Sequence, residues 1–166
     1  MARTYVITGA GSGIGKATKE LLEAQGHRVI GIDLKDAEII ADLSTKQGRV
    51  DAVNGAVEAA GGAVDAAIAC AGVTLPSPLT VSVNYFGMTE FLNALAPVLA
   101  KAEAPRAVLI SSFSSLQEND PALVEAMCVD DDEEKARTIA QEIVDKVGPE
   151  GAQGFIYAST KRAISR

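Results

Sequence analysis

Short apolar stretches alternate with longer amphipathic stretches along the whole of this 166-residue chain. The apolar stretches predict strands at about 3–8, 28–33, 37–41, 64–70 and 106–112. The amphipathic stretches predict helices at about 14–25, 45–60, 79–103, 120–128 and 131–147, and a last helix that begins near residue 153. Strands that alternate with helices are typical of an α/β fold, so we expect one domain with a doubly wound parallel sheet in three layers.

The apolar positions also predict which faces of the first two helices are buried. The predicted inward-facing side chains are Ile14, Leu21 and Leu22 in the first helix and Val50, Val53 and Val57 in the second. Gly26 marks the predicted end of the first helix, and Ser44 is the predicted N-cap of the second. Because the link between the second and third strands is too short for the usual crossover helix, we expect a very tight link or a short, peripheral third strand.

The net charge of −7 is concentrated in one segment. Residues 117–152 hold 11 of the 22 acidic residues and three basic ones, and the rest of the chain is close to neutral. This balance argues against a nucleic-acid-binding surface. The apolar runs are too short to span a membrane, no signal peptide is recognisable, and the two cysteines fit a reducing compartment. We therefore expect a cytoplasmic protein with no nucleic-acid or membrane partner.

A glycine-rich run, Thr8–Gly15, lies between the first predicted strand and the first predicted helix. Such a turn directs the free N–H groups and the positive dipole end of the helix at whatever lies beyond it, and glycine leaves room there for a phosphate. Asp33 follows twenty residues after Gly13, at the end of the second strand. Strand, glycine turn, helix, strand and acid in this order predict a dinucleotide site. The alternative is a tight turn that binds no ligand.

Tyr157 and Lys161 are four residues apart in the last predicted helix. On a helix this spacing places both side chains on one face. An ammonium beside a phenol favours the phenolate, so that the phenol exchanges a proton with an alcohol closer to neutral pH. The pair therefore indicates general acid–base catalysis, and the alternative is a surface pair at helical spacing by chance.

Several further motifs follow one another along the chain. They are Thr8-Gly9-x-x-x-Gly13-x-Gly15, Asp42-Leu43, Ala71-Gly72, Asn84, Ser112 and Tyr157-x-x-x-Lys161. In this order they resemble the short-chain dehydrogenase/reductase family over the whole chain. The runs Gly31–Glu38, Ile40–Thr45 and Val81–Gly87 resemble its bacterial 3α-hydroxysteroid dehydrogenase/carbonyl reductase branch. The resemblance implies a Rossmann-type sheet, and it implies that the last strands of the family fold are lacking after Arg166.

The resemblance also implies a catalytic role for four residues. Tyr157 would transfer the proton and Lys161 would tune it. Ser112 would hydrogen-bond the substrate oxygen, and Asn84 would anchor a water that links Lys161 to solvent.

Two of these residues have a structural alternative. Ser112 ends the fifth predicted strand, where a hydroxyl often satisfies the backbone, and Ser114 and Ser115 are close rivals for its role. Ser111 is expected to point to the opposite face. The alternative for Asn84 is a helical residue that bonds to nearby backbone.

The resemblance implies NAD(H) as the cofactor. A carboxylate at Asp33 accepts hydrogen bonds from the ribose hydroxyls of NAD and repels the 2′-phosphate of NADP. Ser12 stands where NADP-preferring members often have a basic residue, and Lys35 is the opposing signal. Asp42 and Leu43 are expected at the adenine edge, although Asp42 is also explained as an acid before a helix. No metal site is predicted. The predicted cofactor-binding residues are Gly9, Ser12, Gly13, Ile14, Gly15, Asp33, Leu34, Asp42, Leu43, Cys70, Ala71, Gly72, Tyr157 and Lys161.

Two features depart from the family pattern. The usual Asn-Asn-Ala-Gly is Ala69–Gly72 here, which keeps the main-chain role but loses the asparagine support of the fourth strand. Cys70 is not expected to be a nucleophile, and His27 is expected to be structural or solvated. Residues 117–152 form an acidic insertion, for which we consider a substrate lid, an oligomer surface or a solvated appendage.

The resulting hypothesis is an NAD(H)-dependent oxidoreductase that interconverts a secondary alcohol and a ketone. The resemblance implies a bulky apolar substrate such as a hydroxysteroid and a homo-oligomer, either a dimer or a tetramer. A terpenoid or xenobiotic carbonyl compound is an alternative substrate. The alternative from another functional class is a non-catalytic nucleotide-binding module.

Overall fold

A parallel sheet of five strands organises the first part of the molecule. The computed structural model describes residues 2–166. The strands are β1 (Thr4–Thr8), β2 (Arg28–Asp33), β3 (Ile39–Ile40), β4 (Ala66–Ala69) and β5 (Arg106–Leu109). They pair in parallel in the order β3-β2-β1-β4-β5. Helices flank this sheet, so the predicted Rossmann-type α/β fold is confirmed.

The structure divides into two compact units. The sheet unit consists of residues 2–71 and 88–110, and the helical unit of residues 72–87 and 111–166. All five strands belong to the sheet unit. The expectation of a single domain stays a prediction.

The centre of the sheet is apolar because a parallel sheet covered by helices buries both of its faces. Val6 in β1 pairs with Ile30 in β2 and with Ala67 in β4, and all three side chains are fully buried. At one edge, β3 has only two residues and pairs with the end of β2. The third strand is therefore short and peripheral, one of the two expected solutions to the short link.

The first helix, α1 (Gly13–Ala24), ends as predicted, since Gly26 follows it with a φ of +81°. Its predicted buried face is wrong at two of three positions. Ile14 and Leu21 are 64% and 59% exposed, whereas Leu22 packs against a small apolar cluster of the sheet unit. The close contact at Gly15 sets this rotation, because a Cβ there would lie 2.1 Å from the carbonyl oxygen of Gly9.

The second helix, α2 (Lys46–Ala59), also differs in its face and in its cap. Thr45 rather than Ser44 is the N-cap, and its hydroxyl accepts a hydrogen bond from the Gly48 N–H at 3.0 Å. Val50 is exposed instead of buried, whereas Val53 and Val57 are half-buried. Small residues allow a helix to approach closely, and the residues that α2 buries are Gly48, Arg49, Ala52 and Ala56.

The predicted long helix after residue 79 has three parts. They are α3 (Leu79–Val81), a π-helical turn (Ser82–Phe86) and α4 (Gly87–Leu99). The π-helical turn was not predicted, and Asn84 lies within it. Such turns are rare and are frequent at functional sites.

The remaining helices belong to the helical unit. A 3₁₀ turn (Phe113–Leu116) precedes α5 (Pro121–Cys128) and α6 (Glu133–Ile164). A break at Gly148, with φ 77° and ψ 167°, divides α6 in two, in agreement with the two helices predicted there. Asp120 caps α5 by accepting a hydrogen bond from the Leu123 N–H at 2.8 Å.

The acidic insertion supplies most of the core of the helical unit. Leu123 and Met127 of α5 are fully buried in one cluster with Ile156, the residue before Tyr157. The hydroxyl of Ser159 accepts a hydrogen bond from the Asp120 N–H at 3.0 Å, which joins the insertion to the same helix. The solvated-appendage interpretation is therefore wrong, because these side chains support the helix that carries Tyr157. No helix in residues 2–166 combines the length and the low polarity that a membrane span needs.

Candidate active site

The turn between β1 and α1 has positions that only glycine fits. Gly9 has a φ of +72°, and a Cβ there would lie 2.8 Å from the Ala71 nitrogen. A Cβ at Gly15 would collide with the carbonyl of Gly9 at 2.1 Å. Gly13 has a φ of +52° and nothing within 4 Å of its Cβ position. The turn is therefore tight on its inner side and open at Gly13.

The open side of this turn is the N-terminus of α1. Ser12 is the N-cap in an extended conformation, and its side chain makes no capping hydrogen bond. The first turn of α1, which begins with Gly13 and Ile14, contains no acidic residue. Because the first N–H groups of a helix have no partner within it and carry a partial positive charge, this end fits the phosphates of a nucleotide.

The carboxylate of Asp33 is fixed next to the glycine turn. Its Oδ2 accepts a hydrogen bond from the Gly11 N–H at 2.9 Å, and its Oδ1 accepts one from the Leu34 N–H at 2.7 Å. A Cβ at Gly11 would lie 2.6 Å from the carbonyl oxygen of Lys35. Each carboxylate oxygen accepts more than one hydrogen bond, so both can still receive a donor. The role of Gly11 in holding this carboxylate was not predicted from the sequence.

A buried hydroxyl supports the end of β4. The Thr8 Oγ1 accepts hydrogen bonds from the N–H groups of Cys70 and Ala71, at 3.1 and 3.2 Å. This contact holds the chain where the family pattern would have asparagine support. The only sequence signal was the position of Thr8 at the start of the glycine-rich run.

Cys70 and His27, which were singled out in the sequence, each contact other residues of the sheet unit. Cys70 packs against an apolar cluster that includes Ile7 and Val29. The Nδ1 of His27 accepts a hydrogen bond from the Arg3 N–H at 3.2 Å. Within residues 2–166, no group of three or more histidine, cysteine or acidic side chains could hold a metal ion.

The segment after β3 presents one exposed carboxylate. Asp42 is exposed, and its Oδ1 accepts a hydrogen bond from the Ser44 N–H at 2.9 Å. Leu43 beside it is buried. The segment leads directly to the N-cap of α2, so Asp42 lies just before a helix, as its structural explanation requires, while one carboxylate oxygen stays open to other donors.

In the helical unit, the second half of α6 carries Tyr157 and Lys161. The Lys161 Nζ lies 5.6 Å from the centroid of the Tyr157 ring. Lys161 is only 3% exposed, and Tyr157 is half-buried. Burial strengthens the electrostatic effect of the ammonium on the ring, because less water screens it. The phenol therefore has a cation beside it and partial access to solvent.

Asn84 is fully buried and ties two segments together. Its Oδ1 accepts a hydrogen bond from the Val73 N–H at 2.8 Å, and its Nδ2 donates to the Val73 carbonyl at 2.9 Å. The same Nδ2 donates to the Thr160 Oγ1 at 3.3 Å, next to Lys161. The backbone that Asn84 bonds is therefore eleven residues away rather than local to its helix.

Ser112 lies beyond the fifth strand rather than at its end. The strand β5 ends at Leu109, and the Ile110 N–H makes one more bond to the Ala69 carbonyl at 3.1 Å. Ser112 then caps the 3₁₀ turn, because its Oγ accepts a hydrogen bond from the Ser114 N–H at 3.1 Å. The hydroxyl proton is not used in that contact, so Ser112 keeps a donor for another oxygen.

The neighbouring serines have other surroundings. The Ser111 Oγ lies 2.6 Å from the Ser165 Oγ, and Ser115 is buried.

The predicted cofactor-binding residues up to Ala71 belong to the sheet unit, and the four predicted catalytic residues belong to the helical unit.

Comparison with known proteins agrees with these features. A family model described as short chain dehydrogenase matches residues 3–124. The chain belongs to the short-chain dehydrogenase family. It is 40% identical, over 167 aligned positions, to a protein of Comamonas testosteroni named 3-alpha-hydroxysteroid dehydrogenase/carbonyl reductase. That match covers 96% of this chain and 62% of the relative, so the chain spans less than two thirds of the relative's length.

Solved structures of the family show the same fold. The crystal structure of the 3-alpha-hydroxysteroid dehydrogenase from Pseudomonas sp. B-0831, complexed with NADH, is 41% identical with a TM-score of 0.86. The match covers 98% of this chain and 68% of that one. Salutaridine reductase from Papaver somniferum, at 16% identity and a TM-score of 0.71 over 98% of this chain and 79% of that one, shares the fold.

Proposed function

We propose that this protein is an NAD(H)-dependent oxidoreductase that interconverts a secondary alcohol and a ketone, with Tyr157 as the general acid and base. The observation that carries the proposal is the buried Lys161, whose Nζ lies 5.6 Å from the Tyr157 ring centroid. A buried ammonium beside a phenol stabilises the phenolate that forms when the phenol gives up its proton. Family membership supports the same chemistry.

In the reductive direction, the Tyr157 hydroxyl donates its proton to the carbonyl oxygen of the substrate. The hydride for the carbonyl carbon would come from NADH, which the glycine turn and Asp33 would hold. The C=O group thereby becomes CH–OH, and Tyr157 is left as a phenolate that Lys161 stabilises. The oxidative direction reverses each transfer.

Two further residues assist this proton transfer. Ser112 donates its hydroxyl proton in a hydrogen bond to the substrate oxygen and so stabilises the charge that develops there. Asn84 anchors a water through which Lys161 and Tyr157 recover a proton from solvent. The bonds of Asn84 to Val73 and Thr160 fix its amide against the residue that precedes Lys161 and support this role.

The sheet unit offers a place for the cofactor. The glycine turn leaves room that a Cβ would fill, and the N-terminus of α1 fits the two phosphates. Asp33, held by Gly11 and Leu34, would accept hydrogen bonds from the adenosine ribose and repel a 2′-phosphate. The NADH in the complex of the Pseudomonas relative supports the preference for NAD(H).

The proposed substrate is a hydroxysteroid or another bulky apolar carbonyl compound. The names of the relatives from Comamonas and Pseudomonas support a steroid. Phe113 and Leu116, which are 79% and 71% exposed, lie in the 3₁₀ turn that Ser112 caps and offer apolar surface there. We further propose a cytoplasmic homo-oligomer, a dimer or a tetramer, which light scattering on the purified protein would test.

The direct test is reduction of a 3-ketosteroid, followed as loss of NADH absorbance, with acetone as the small substrate for comparison. We expect turnover with NADH and a higher kcat/KM for the steroid. Equal kcat/KM values for the two ketones would contradict the substrate proposal, and tighter binding of NADPH than of NADH would contradict the role of Asp33. Binding of NADH without turnover of any ketone would indicate a nucleotide-binding module instead.

A further inference from the structure

A buried arginine lies behind the segment that follows β3. Arg49, in the first turn of α2, is only 2% exposed. Its Nε donates a hydrogen bond to the Leu43 carbonyl at 2.8 Å, and its Nη2 donates one to the Ser44 carbonyl at 3.4 Å. A guanidinium is a rigid, planar fork of donors, so two successive carbonyls held in this way have a fixed orientation.

The charge of this arginine is balanced from α4. The Arg49 Nη1 lies 2.9 Å from the Glu90 Oε2, and the Glu90 side chain is 40% exposed. A buried cation is costly unless it is paired and hydrogen-bonded. An apolar side chain could fill the same space without that cost, but it could not hold the two carbonyls. The buried ion pair therefore fixes the position of the two carbonyls.

Other contacts also hold the same segment in place. The Thr45 Oγ1 donates to the Asp42 carbonyl at 3.1 Å, and a Cβ at Gly48 would lie 1.9 Å from that carbonyl oxygen. The Ala41 N–H donates to the Asp33 carbonyl at 3.0 Å, which joins the segment to the end of β2. The carbonyls of the segment are thus engaged with protein, while the Asp42 carboxylate is exposed.

We propose that Arg49 and Glu90 are positioning residues for the adenine base of the cofactor. They hold the Leu43 and Ser44 carbonyls so that the Asp42 carboxylate and the Leu43 N–H face the edge of the base. This inference rests on the proposed function, because it requires that NAD(H) binds with its ribose at Asp33. Neither residue touches the cofactor; both act through Asp42 and Leu43.

The test compares three ligands by fluorescence titration. NADH has the complete dinucleotide, reduced nicotinamide hypoxanthine dinucleotide replaces the adenine amino group with an oxygen, and reduced nicotinamide mononucleotide lacks the adenosine half. For the wild type we expect NADH to bind about tenfold more tightly than the hypoxanthine analogue, the effect of about one hydrogen bond. Arg49→Lys keeps the charge but loses the planar fork of guanidinium donors. For this variant we expect NADH and the hypoxanthine analogue to bind about equally tightly, with mononucleotide affinity unchanged within about twofold.

Two more variants separate this role from a purely structural one. Glu90→Gln keeps the size of the side chain and is expected to reduce the adenine preference by about threefold, and it decides the question if Arg49→Lys does not fold. Arg106→Lys, at an exposed arginine of the same unit, is the matched control and should keep the preference.

Several outcomes would overturn the proposal. One is a wild type without adenine preference, and another is an Arg49→Lys variant that keeps the preference or loses affinity for all three ligands alike. A wild type that binds neither NADH nor the mononucleotide would refute the proposed function itself. The two failures are therefore distinguishable.

Discussion

The sheet unit and the helical unit present their candidate residues by different means. In the sheet unit, glycines clear space and the backbone supplies the donors, as at Gly9, Gly13 and the start of α1. In the helical unit, side chains such as Asn84 and Lys161 are buried and held by specific hydrogen bonds or ring contacts. A substitution should therefore act through backbone geometry in the first unit and through side-chain chemistry in the second.

The cores of the two units differ as well. Apolar strands such as β4, whose four residues are all alanine or isoleucine, build the core of the sheet unit. The core of the helical unit depends on the acidic insertion, whose apolar side chains are inside while its charges are mostly outside. The high charge of a segment thus says little about whether it is structural; the spacing of its apolar residues says more.

The largest effect on stability is expected in the glycine turn. For Gly15→Ala we expect a loss of about 3 kcal/mol or more in the free energy of unfolding, because the new Cβ would lie 2.1 Å from the Gly9 carbonyl oxygen. Chemical denaturation measures this change. Gly154→Ala in α6, with nothing within 4 Å of its Cβ position, is the control and should stabilise the protein by up to about 1 kcal/mol. Equal effects of the two substitutions would contradict the backbone argument.

A smaller loss of stability is expected when a core leucine of the acidic insertion is replaced by alanine. Leu123→Ala should cost about 2–4 kcal/mol, because Leu123 is fully buried in the cluster that contains Ile156. Leu116→Ala, at a leucine of the same unit that is 71% exposed, should change stability by less than about 0.5 kcal/mol. If both variants unfold at the same denaturant concentration as the wild type, the insertion does not support the helical unit.

The smallest effect concerns Tyr85 in the π-helical turn. Burial, and then the nearby charges of Cys128 and Asp131, raise the pKa of Tyr85 to about 12. Its contribution to stability is fully present below its unfolded pKa near 10 and is lost as the pH rises to about 12, because only the unfolded chain deprotonates readily in that range. The melting temperature should fall above pH 10, and Tyr85→Phe should make that fall less steep. An equally steep fall in the variant would contradict this explanation.

Local sequence patterns predicted the strands and helices of the sheet unit well, but they predicted poorly which helix side chains are buried. The predicted bounds of β2 and the predicted end of α1 at Gly26 agree with the structure, because strand patterns and helix stops depend on residues that are adjacent in sequence. Two positions of the α1 face and Val50 in α2 were wrong, because the contacts at Gly15 and Gly48 set the helix orientations, and these contacts involve backbone at other points of the chain. Thr45 displaced Ser44 as the N-cap for the same reason, since the helix begins where Gly48 fits against Asp42.

In the helical unit, the spacing of Tyr157 and Lys161 was enough to predict that they share a helix face, since four residues make about one helical turn. The surroundings of Asn84 were not, because a π-helical turn has no signature in hydrophobic spacing and the partners of Asn84 are Val73 and Thr160. The end of β5 at Leu109, before Ser112, also follows from the 3₁₀ turn that comes next. Residues whose partners lie far along the chain are thus the ones that sequence patterns miss.

The role of Tyr157 is tested most directly by comparing wild type and Tyr157→Phe, with the dissociation constant of NADH and the turnover rate determined on the same samples. We expect NADH affinity to stay within about twofold, because the glycine turn and Asp33 are untouched, while turnover falls by about 10²–10⁴-fold. Turnover by Tyr157→Phe at the wild-type rate would refute Tyr157 as the general acid and base, because the proton would then come from another group.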